Sequence, residues 1–571
     1  MSNAEPLYVS SSKPGKMERW ALVMVLLVAT ALRLINLPSR YNVRDTDEPL
    51  YLYGSLNVLE GITPGMKAAP AGPQTWIGWM YASAATIKNA ILPDAQTRQV
   101  PLQVRPFFAL QKTLFDLYHD TSSLRYFELA AFILVGLWSV IAAFHMGSKR
   151  GGPWVGAMAG ALIAALPMFV DFSGMARPYS LGWSFGVLAV CHAAMPAGTF
   201  RWKWSAVLLG LAIASRVEMV MLLPAIWWLC WERGAQGRAL VRQCLTVCGI
   251  AILTTVTAAP WLFTNIIGNL RTIATVRFAP ASAVQTHTTP SLPAFFWEQG
   301  LAVAFLVFMA GILMGPAGSR GKRLVLAALV LALLAAMLKE DGYGIRHNGP
   351  TIIVFWFAAT LGVGALQVRW PRVGPILVAL VVALPLAQTI RLIIQNRDNA
   401  LDGQLPVAWL ESHIKPGATL YLSGDYIRVP LPTAASADAL WQEVTGPDAW
   451  RRKFQAGLRR FNLGSLDIPR ALSEENMIQE RAARRSWFVL GGGPDAGPRY
   501  DIHVANSPVF GERDTAAAFA ASGGVMVTTA PQACAMPFER WSSPSGKVEC
   551  YVYYTPSALL NSGAPTPANT H

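Results

Sequence analysis

A polytopic α-helical membrane protein of about eleven spans, followed by a small soluble α/β domain, is the fold class that the sequence predicts. Three observations predict it. The 571 residues are 53% hydrophobic and only 14% charged, whereas soluble domains carry about 25% charged residues. Mean hydropathy is +0.35, and the 20 tryptophans suit the belts that aromatic rings form at headgroup depth. The long apolar runs stop near residue 394, after which Gly, Pro, Asp and Arg become common.

Residues 1–19 are polar, with Lys13, Lys16 and Arg19 ahead of the first apolar run. A span needs about 20 apolar residues at a rise of ~1.5 Å each. Spans are expected over 20–37, 124–146, 153–172, 178–196, 203–215, 217–231, 241–263, 295–314, 323–339, 350–368 and 373–394. The fifth and sixth form a short hairpin that turns at Ser215-Arg216-Val217-Glu218. The first run also admits a cleaved signal peptide, because Ala29-Thr30-Ala31 resembles a cleavage site. Its continuation to Leu37 favours a retained span.

The net charge of +14 raises nucleic acid as a partner, and the placement of the basic residues answers it. They occupy alternate short loops: Lys149 and Arg150, Arg201 and Lys203, Arg233, Arg238 and Arg242, Arg320, Lys322 and Arg323, then Arg369 and Arg372. The other loops hold Asp45, Asp47, Glu48, Asp171, Glu218, Glu340 and Asp341. This is the positive-inside pattern of a membrane protein, not a binding stripe. It predicts a cytoplasmic N-terminus, an extracytoplasmic C-terminal domain, membrane lipids as partners and no nucleic acid.

The run Gln74–Pro93 is long enough to span, but counting it would put the basic loops on the wrong side. With Trp76, Trp79 and Tyr81 it reads instead as a helix lying in the interface. Arg105–Tyr118 reads as a second, so residues 38–123 are expected to hug the membrane as a lid. Residues 20–394 then form the transmembrane domain.

Residues 395–556 are expected to fold as an α/β domain outside the membrane. Val407–Ile414 reads as helix, Lys415-Pro416-Gly417 as a turn, and Thr419–Ser423, Trp487–Leu490, Gly524–Thr528 and Val548–Tyr554 as strands. Residues 557–571 lack periodicity and are expected to be disordered. Gly491-Gly492-Gly493 lacks the spacing of a dinucleotide loop. Arg451–Arg460 reads as a helix with a basic, solvated or headgroup-facing side. Cys191, Cys230, Cys244 and Cys248 sit in apolar helices as packing residues, while Cys534 and Cys550 are placed to pair in an exported domain.

The stretch most charged with chemistry follows the first span. Tyr41–Gly65 contains Asp45, Asp47 and Glu48, carboxylates that are costly at the mouth of a membrane helix and usually have work there. Asp47-Glu48 begins D-E-x-x-Y, ending at Tyr51, and Gly61–Gly65 reads G-x-x-P-G. Asp171 to Tyr179 contains Ala176-Arg177-Pro178-Tyr179, and Arg346-His347-Asn348-Gly349-Pro350 precedes the tenth span.

Together these segments resemble the GT-C glycosyltransferases, such as the protein O-mannosyltransferases and aminoarabinose transferases, over about residues 18–395. The resemblance implies a membrane enzyme of the plasma (inner) membrane that moves a sugar from a polyprenyl-phosphate donor. The acceptor stays open among lipid, glycan and protein. It implies Asp47 as catalytic base with Glu48 beside it, and Asp45, Tyr51, Asp171, Arg177, Tyr179 and Arg346 lining the substrate site. Arg177 and Arg346 would hold the donor phosphate, since a guanidinium engages two oxygens at once. His347 departs from the tyrosine usual in that motif. Asp45 adds a D-x-D to the pattern, which leaves open a divalent cation, Mg²⁺ or Mn²⁺, on Asp45 and Asp47. A transporter or flippase of lipid-linked sugars would place charges at mid-helix in paired repeats. A non-enzymatic polytopic sensor would leave the clustered acids and arginines without a use.

Overall fold

The structure, a computed structural model, describes residues 15–35, 121–175, 177–195, 199–259, 292–314, 320–339, 348–397, 412–415, 418–422, 501–504, 524–528, 536–542 and 549–560, with isolated positions and short runs elsewhere. The chain forms two compact units. One comprises Met1–Leu37 and Leu129–Ile394, the other Pro38–Glu128 and Gln395–His571.

The first unit is helical. Its elements are α1 (Lys16–Leu34), α2 (Thr121–Gly151), α3 (Pro153–Ala165), α4 (Pro167–Ser173), α5 (Pro178–Ala194) and α6 (Thr199–Ser215). A 3₁₀ helix over Val217–Leu222 leads to α7 (Leu223–Glu232) and α8 (Gly237–Ala258). Then come α9 (Leu292–Glu298), α10 (Ala302–Met314), α11 (Arg320–Lys339), α12 (Gly349–Arg369) and α13 (Gly374–Arg397). Helix lies under every expected span. Among the described helices, α2, α8, α12 and α13 are long and apolar enough to cross a membrane, and α3 with α4 makes a fifth span bent by 51°.

Two of the expected spans are broken. The run 153–172 splits at Leu166, because Pro167 has no N–H to continue the α3 ladder and its ring opposes the preceding turn. The run 295–314 splits at Gln299-Gly300-Leu301. There Gly300 adopts φ +69 and lies against the α13 backbone at Leu384–Pro385, where a Cβ has no room.

α12 is the axis of the bundle. Nearly every residue from Gly349 to Gly364 is buried, so it is apolar all round, as a central helix must be. Glycines let its neighbours close in: Gly362 of α12 meets Gly311 of α10 with no space for a side chain. Such small-residue seams drive helix association where lipid replaces water. The indole of Trp356 donates to the Ala159 carbonyl of α3 at 3.0 Å, which pins the axis to the broken span. α8 stands at the periphery with Leu245, Ile252 and Leu253 exposed, a face suited to lipid.

The second unit contains a five-stranded mixed sheet: β1 (Thr419–Leu422), β2 (Asp501–Val504), β3 (Val525–Thr528), β4 (Phe538–Ser542) and β5 (Glu549–Tyr554), in the order β2-β1-β3-β5-β4. β1 pairs parallel with β2 and β3, and β5 pairs antiparallel with β3 and β4. Phe519, Met526, Tyr551 and Tyr553 form its buried core. The expected turn after Lys415 closes through the Ala418 N–H and the Lys415 carbonyl at 3.2 Å. The chain past Tyr554 belongs to the same unit: Leu559 bridges to Ile414, and the Leu560 N–H donates to the His413 carbonyl at 2.7 Å. Burial, reinforced by Glu539 on the neighbouring strand, raises the Tyr554 phenol above its ordinary pKa. The strand at Trp487–Leu490, the basic helix at Arg451–Arg460, the interfacial helices and the Cys534–Cys550 pairing lie outside the described residues.

Candidate functional site

Four segments meet at one end of the bundle. α4 stops at Gly174, whose N–H returns to the Asp171 carbonyl at 3.0 Å. The chain then reaches Arg177, which precedes a proline and is therefore held extended, with φ −127 and ψ 143. Pro178 fits the first turn of α5, where its missing N–H costs nothing. Asp171 and Arg177 are thus fixed by the end of one helix and the start of the next.

Arg177 is only 3% exposed, while Asp171 stays partly open. The Arg177 guanidinium lies 5.9 Å from the Phe172 ring centroid. Phe172 packs on Tyr179 at 5.3 Å and on Trp183 at 5.1 Å, and Phe169 closes the group from α4 at 5.5 Å from Trp183. Rings at these separations attract through edge and offset contacts. Arg177 lies at the edge of this cluster, against Phe172.

The hairpin turn at Arg216 and Glu218 joins from the other side of α5. Arg216 pairs with Glu218 at 2.6 Å, the local ion pair that their spacing suggests. Its guanidinium also lies 3.9 Å from the Tyr179 ring centroid, a close cation–π contact. Gly182 permits this approach, since a Cβ there would stand 3.2 Å from Arg216 Cγ. The last contributor is the start of α12: Gly349 sits against the Trp183 indole with no room for a side chain. Arg346 is therefore three residues from a fixed point of the site.

Of the residues singled out from sequence, the structure brings together Asp171, Arg177 and Tyr179. Asp45, Asp47, Glu48, Tyr51 and Arg346 lie outside the described residues. No group of three His, Cys, Asp or Glu side chains gathers as a metal site among the described residues, and Asp45 and Asp47 are not among these.

One charged residue of this end escapes the motif reading. Arg33 in α1 is 1% exposed. Its guanidinium donates to the carbonyls of Ile163 and Ala164, both at 3.3 Å, and to Ala29 of its own helix at 3.2 Å. The sequence does carry a signal for it, an ionisable residue between Leu32 and Leu34 inside an apolar run.

The opposite end is built differently. Tyr179 and Ala194 of α5 are on the order of 22 Å apart along the helix axis, and it is at Ala194 that the basic loops converge. Arg150 makes a two-pronged pair with Glu232 at 2.8 and 3.1 Å and donates to the Ala194 carbonyl at 2.8 Å. Lys322 donates to the Glu232 carbonyl at 3.0 Å, and Arg323 to the Gly311 carbonyl at 3.0 Å. The basic residues and the Asp171–Arg177 segment thus occupy opposite ends.

No family model matches the chain, and no curated protein does. Among solved structures it is similar to ArnT from Cupriavidus metallidurans in the apo state, at 12% identity over 73% of this chain and 86% of that one, with a TM-score of 0.45. The same ArnT bound to undecaprenyl phosphate matches at 12% identity over 75% and 88%, again with a TM-score of 0.45. The archaeal oligosaccharyltransferase AglB from Archaeoglobus fulgidus, in complex with an inhibitory peptide and a dolichol-phosphate, matches at 13% identity over 73% and 64%, with a TM-score of 0.41.

Proposed function

We propose that the chain is a membrane glycosyltransferase of the GT-C type, which transfers a sugar from a polyprenyl-phosphate donor to a lipid, glycan or protein acceptor. The charge pattern of the loops supports an extracytoplasmic site, and the span count an extracytoplasmic C-terminal α/β domain. The observation that carries this reading is the meeting of Asp171, Arg177 and Tyr179 with the Arg216–Glu218 turn and the start of α12. Three segments remote in sequence, two of them resembling donor-side motifs, supply charge and aromatic walls at one bundle end.

The chemistry follows from what such a site must do. The acceptor hydroxyl is weakly nucleophilic, so Asp47 takes its proton as the oxygen attacks the anomeric carbon. The bond from that carbon to the phosphate oxygen breaks, and its electron pair leaves with the polyprenyl phosphate. Arg177 and Arg346 hold the phosphate and offset the charge that develops on it. Glu48 orients Asp47, Tyr51 and Tyr179 line the sugar pocket, and Asp171 steadies the guanidiniums. If a divalent cation takes part, Asp45 and Asp47 are its ligands. The test is incubation of purified protein with a panel of radiolabelled polyprenyl-phosphate sugars and a membrane extract as acceptor source. Labelled product from at least one donor is expected. No transfer from any of them, with the protein folded, contradicts the reading.

A further inference from the structure

The break between α3 and α4 releases backbone groups that a continuous helix would pair. Pro167 cannot serve the Ile163 carbonyl, and the bend separates Ala164 and Ala165 from the amides of α4. All three carbonyls are met by side chains from other helices. Arg33 of α1 takes Ile163 and Ala164 at 3.3 Å each, and the buried Thr389 of α13 donates to Ala165 at 2.6 Å. The N–H of Met168, freed on the α4 side, donates to Oε1 of Gln299 at 3.2 Å. Gln299 is itself buried, in the turn that Gly300 makes against α13.

We propose that Arg33, Thr389 and Gln299 form a clamp that holds the α3–α4 break in its bent form, and that Arg33 is a positioning residue for donor binding. The choice of arginine has a physical reason. Its planar fork reaches two adjacent carbonyls at once, and a cation suits the negative end of the α3 dipole. Space is kept for it: a Cβ on Gly136 of α2 would stand 3.3 Å from Arg33 Nε. In a membrane interior, where water does not replace lost partners, unmet carbonyls would force the break to close or draw water in. α4 carries Asp171, and its end at Gly174 sets the Arg177 backbone, so the bend fixes where both charged groups stand. Arg33 contributes to the reaction by this route.

The donor part of this inference rests on the glycosyl-transfer reading, and the test separates the two. Arg33→Ala, Arg33→Lys, Thr389→Val and Gln299→Leu are purified beside wild type and Glu232→Gln, a change at the opposite end. Donor KM and kcat are measured, with amide hydrogen exchange across residues 163–175. The clamp predicts a donor KM raised on the order of 10- to 100-fold in Arg33→Ala with kcat less affected. It also predicts faster exchange in 163–175 and part of the loss recovered in Arg33→Lys. Thr389→Val and Gln299→Leu shift the same readouts less, and they decide the matter if Arg33→Ala does not fold. Glu232→Gln lowers thermal stability and leaves donor KM in place. The clamp is overturned if the clamp variants lose stability as Glu232→Gln does while donor KM and exchange across 163–175 stay at wild-type values. If wild type transfers no sugar, the exchange data alone decide: faster exchange upholds the clamp, and unchanged exchange rejects it.

Discussion

The two ends of the helical unit use buried charge in opposite ways. At the Arg150 end, cations are spent on joining helix ends: Arg150 ties α2 to α5 and α7, and Lys322 ties α11 to α7. There Arg150, Lys322 and Arg323 cover the carbonyls of Ala194, Glu232 and Gly311 near helix C-termini. At the Arg177 end two spans are broken, the hairpin turn runs on as 3₁₀, and a buried arginine lies against the edge of an aromatic cluster. Broken helices and buried charge are costly in a bilayer and gather where a protein handles a polar ligand. The difference teaches that buried charge alone does not mark a site. What separates the ends is whether the charges merely complete the fold or need a departure from regular helix to be placed.

That comparison can be broken most forcefully at the Arg150 end. Arg150→Met leaves the Glu232 carboxylate without its guanidinium in a place where the two side chains are 8% and 20% exposed. Removing one partner of a buried pair costs about 3–5 kcal/mol, and the residual exposure of Glu232 points to the lower figure. Thermal unfolding in detergent should show the loss, while donor affinity stays at the wild-type value. A fall in affinity with stability intact would reverse the roles of the ends.

A smaller effect is expected from Arg177→Lys, with the opposite signature. The charge survives but the planar fork does not, so donor affinity should drop about tenfold, ~1.4 kcal/mol. Titration of a labelled polyprenyl-phosphate sugar reads this directly. Unchanged affinity would make Arg177 a packing residue of the aromatic cluster.

The smallest effect concerns Gly182→Ala. The added methyl would crowd Arg216 Cγ and Cβ at 3.2 and 3.3 Å and shift its guanidinium from the Tyr179 ring. A cation–π contact is worth about 0.5–1 kcal/mol or somewhat more when desolvated. A melting-temperature drop of that order, with a modest loss of donor affinity, would show that the turn supports the site. A gain in stability would show that the close approach is not needed.

The helices were legible because lipid demands long apolar runs, and the α5 start was legible from Arg177-Pro178 alone. The ion pair at Arg216 and Glu218 could be read because its partners are two residues apart. The clamp could not be read: Arg33 lies 131 residues from Ala164 and Thr389 224 residues from Ala165, and spacing says nothing about such pairs. Pro167, read as part of one continuous span over 153–172, does carry the signal for the break, but nothing near it says which side chains fill it. In the sheet, β2 (Asp-Ile-His-Val) and β4 (Phe-Glu-Arg-Trp-Ser) escaped sequence reading. They are short and lie at the two sheet edges, where charged residues are tolerated and apolar alternation is weak.

The most direct test of the central claim lies in the segment after α1. Asp47→Asn removes the proposed base while nearly preserving shape. Turnover of the folded variant is compared with wild type on one donor, with donor binding measured on the same preparations. The account predicts a loss of about 10²–10⁴-fold in turnover with donor affinity nearly unchanged. Near-normal turnover in Asp47→Asn would contradict it.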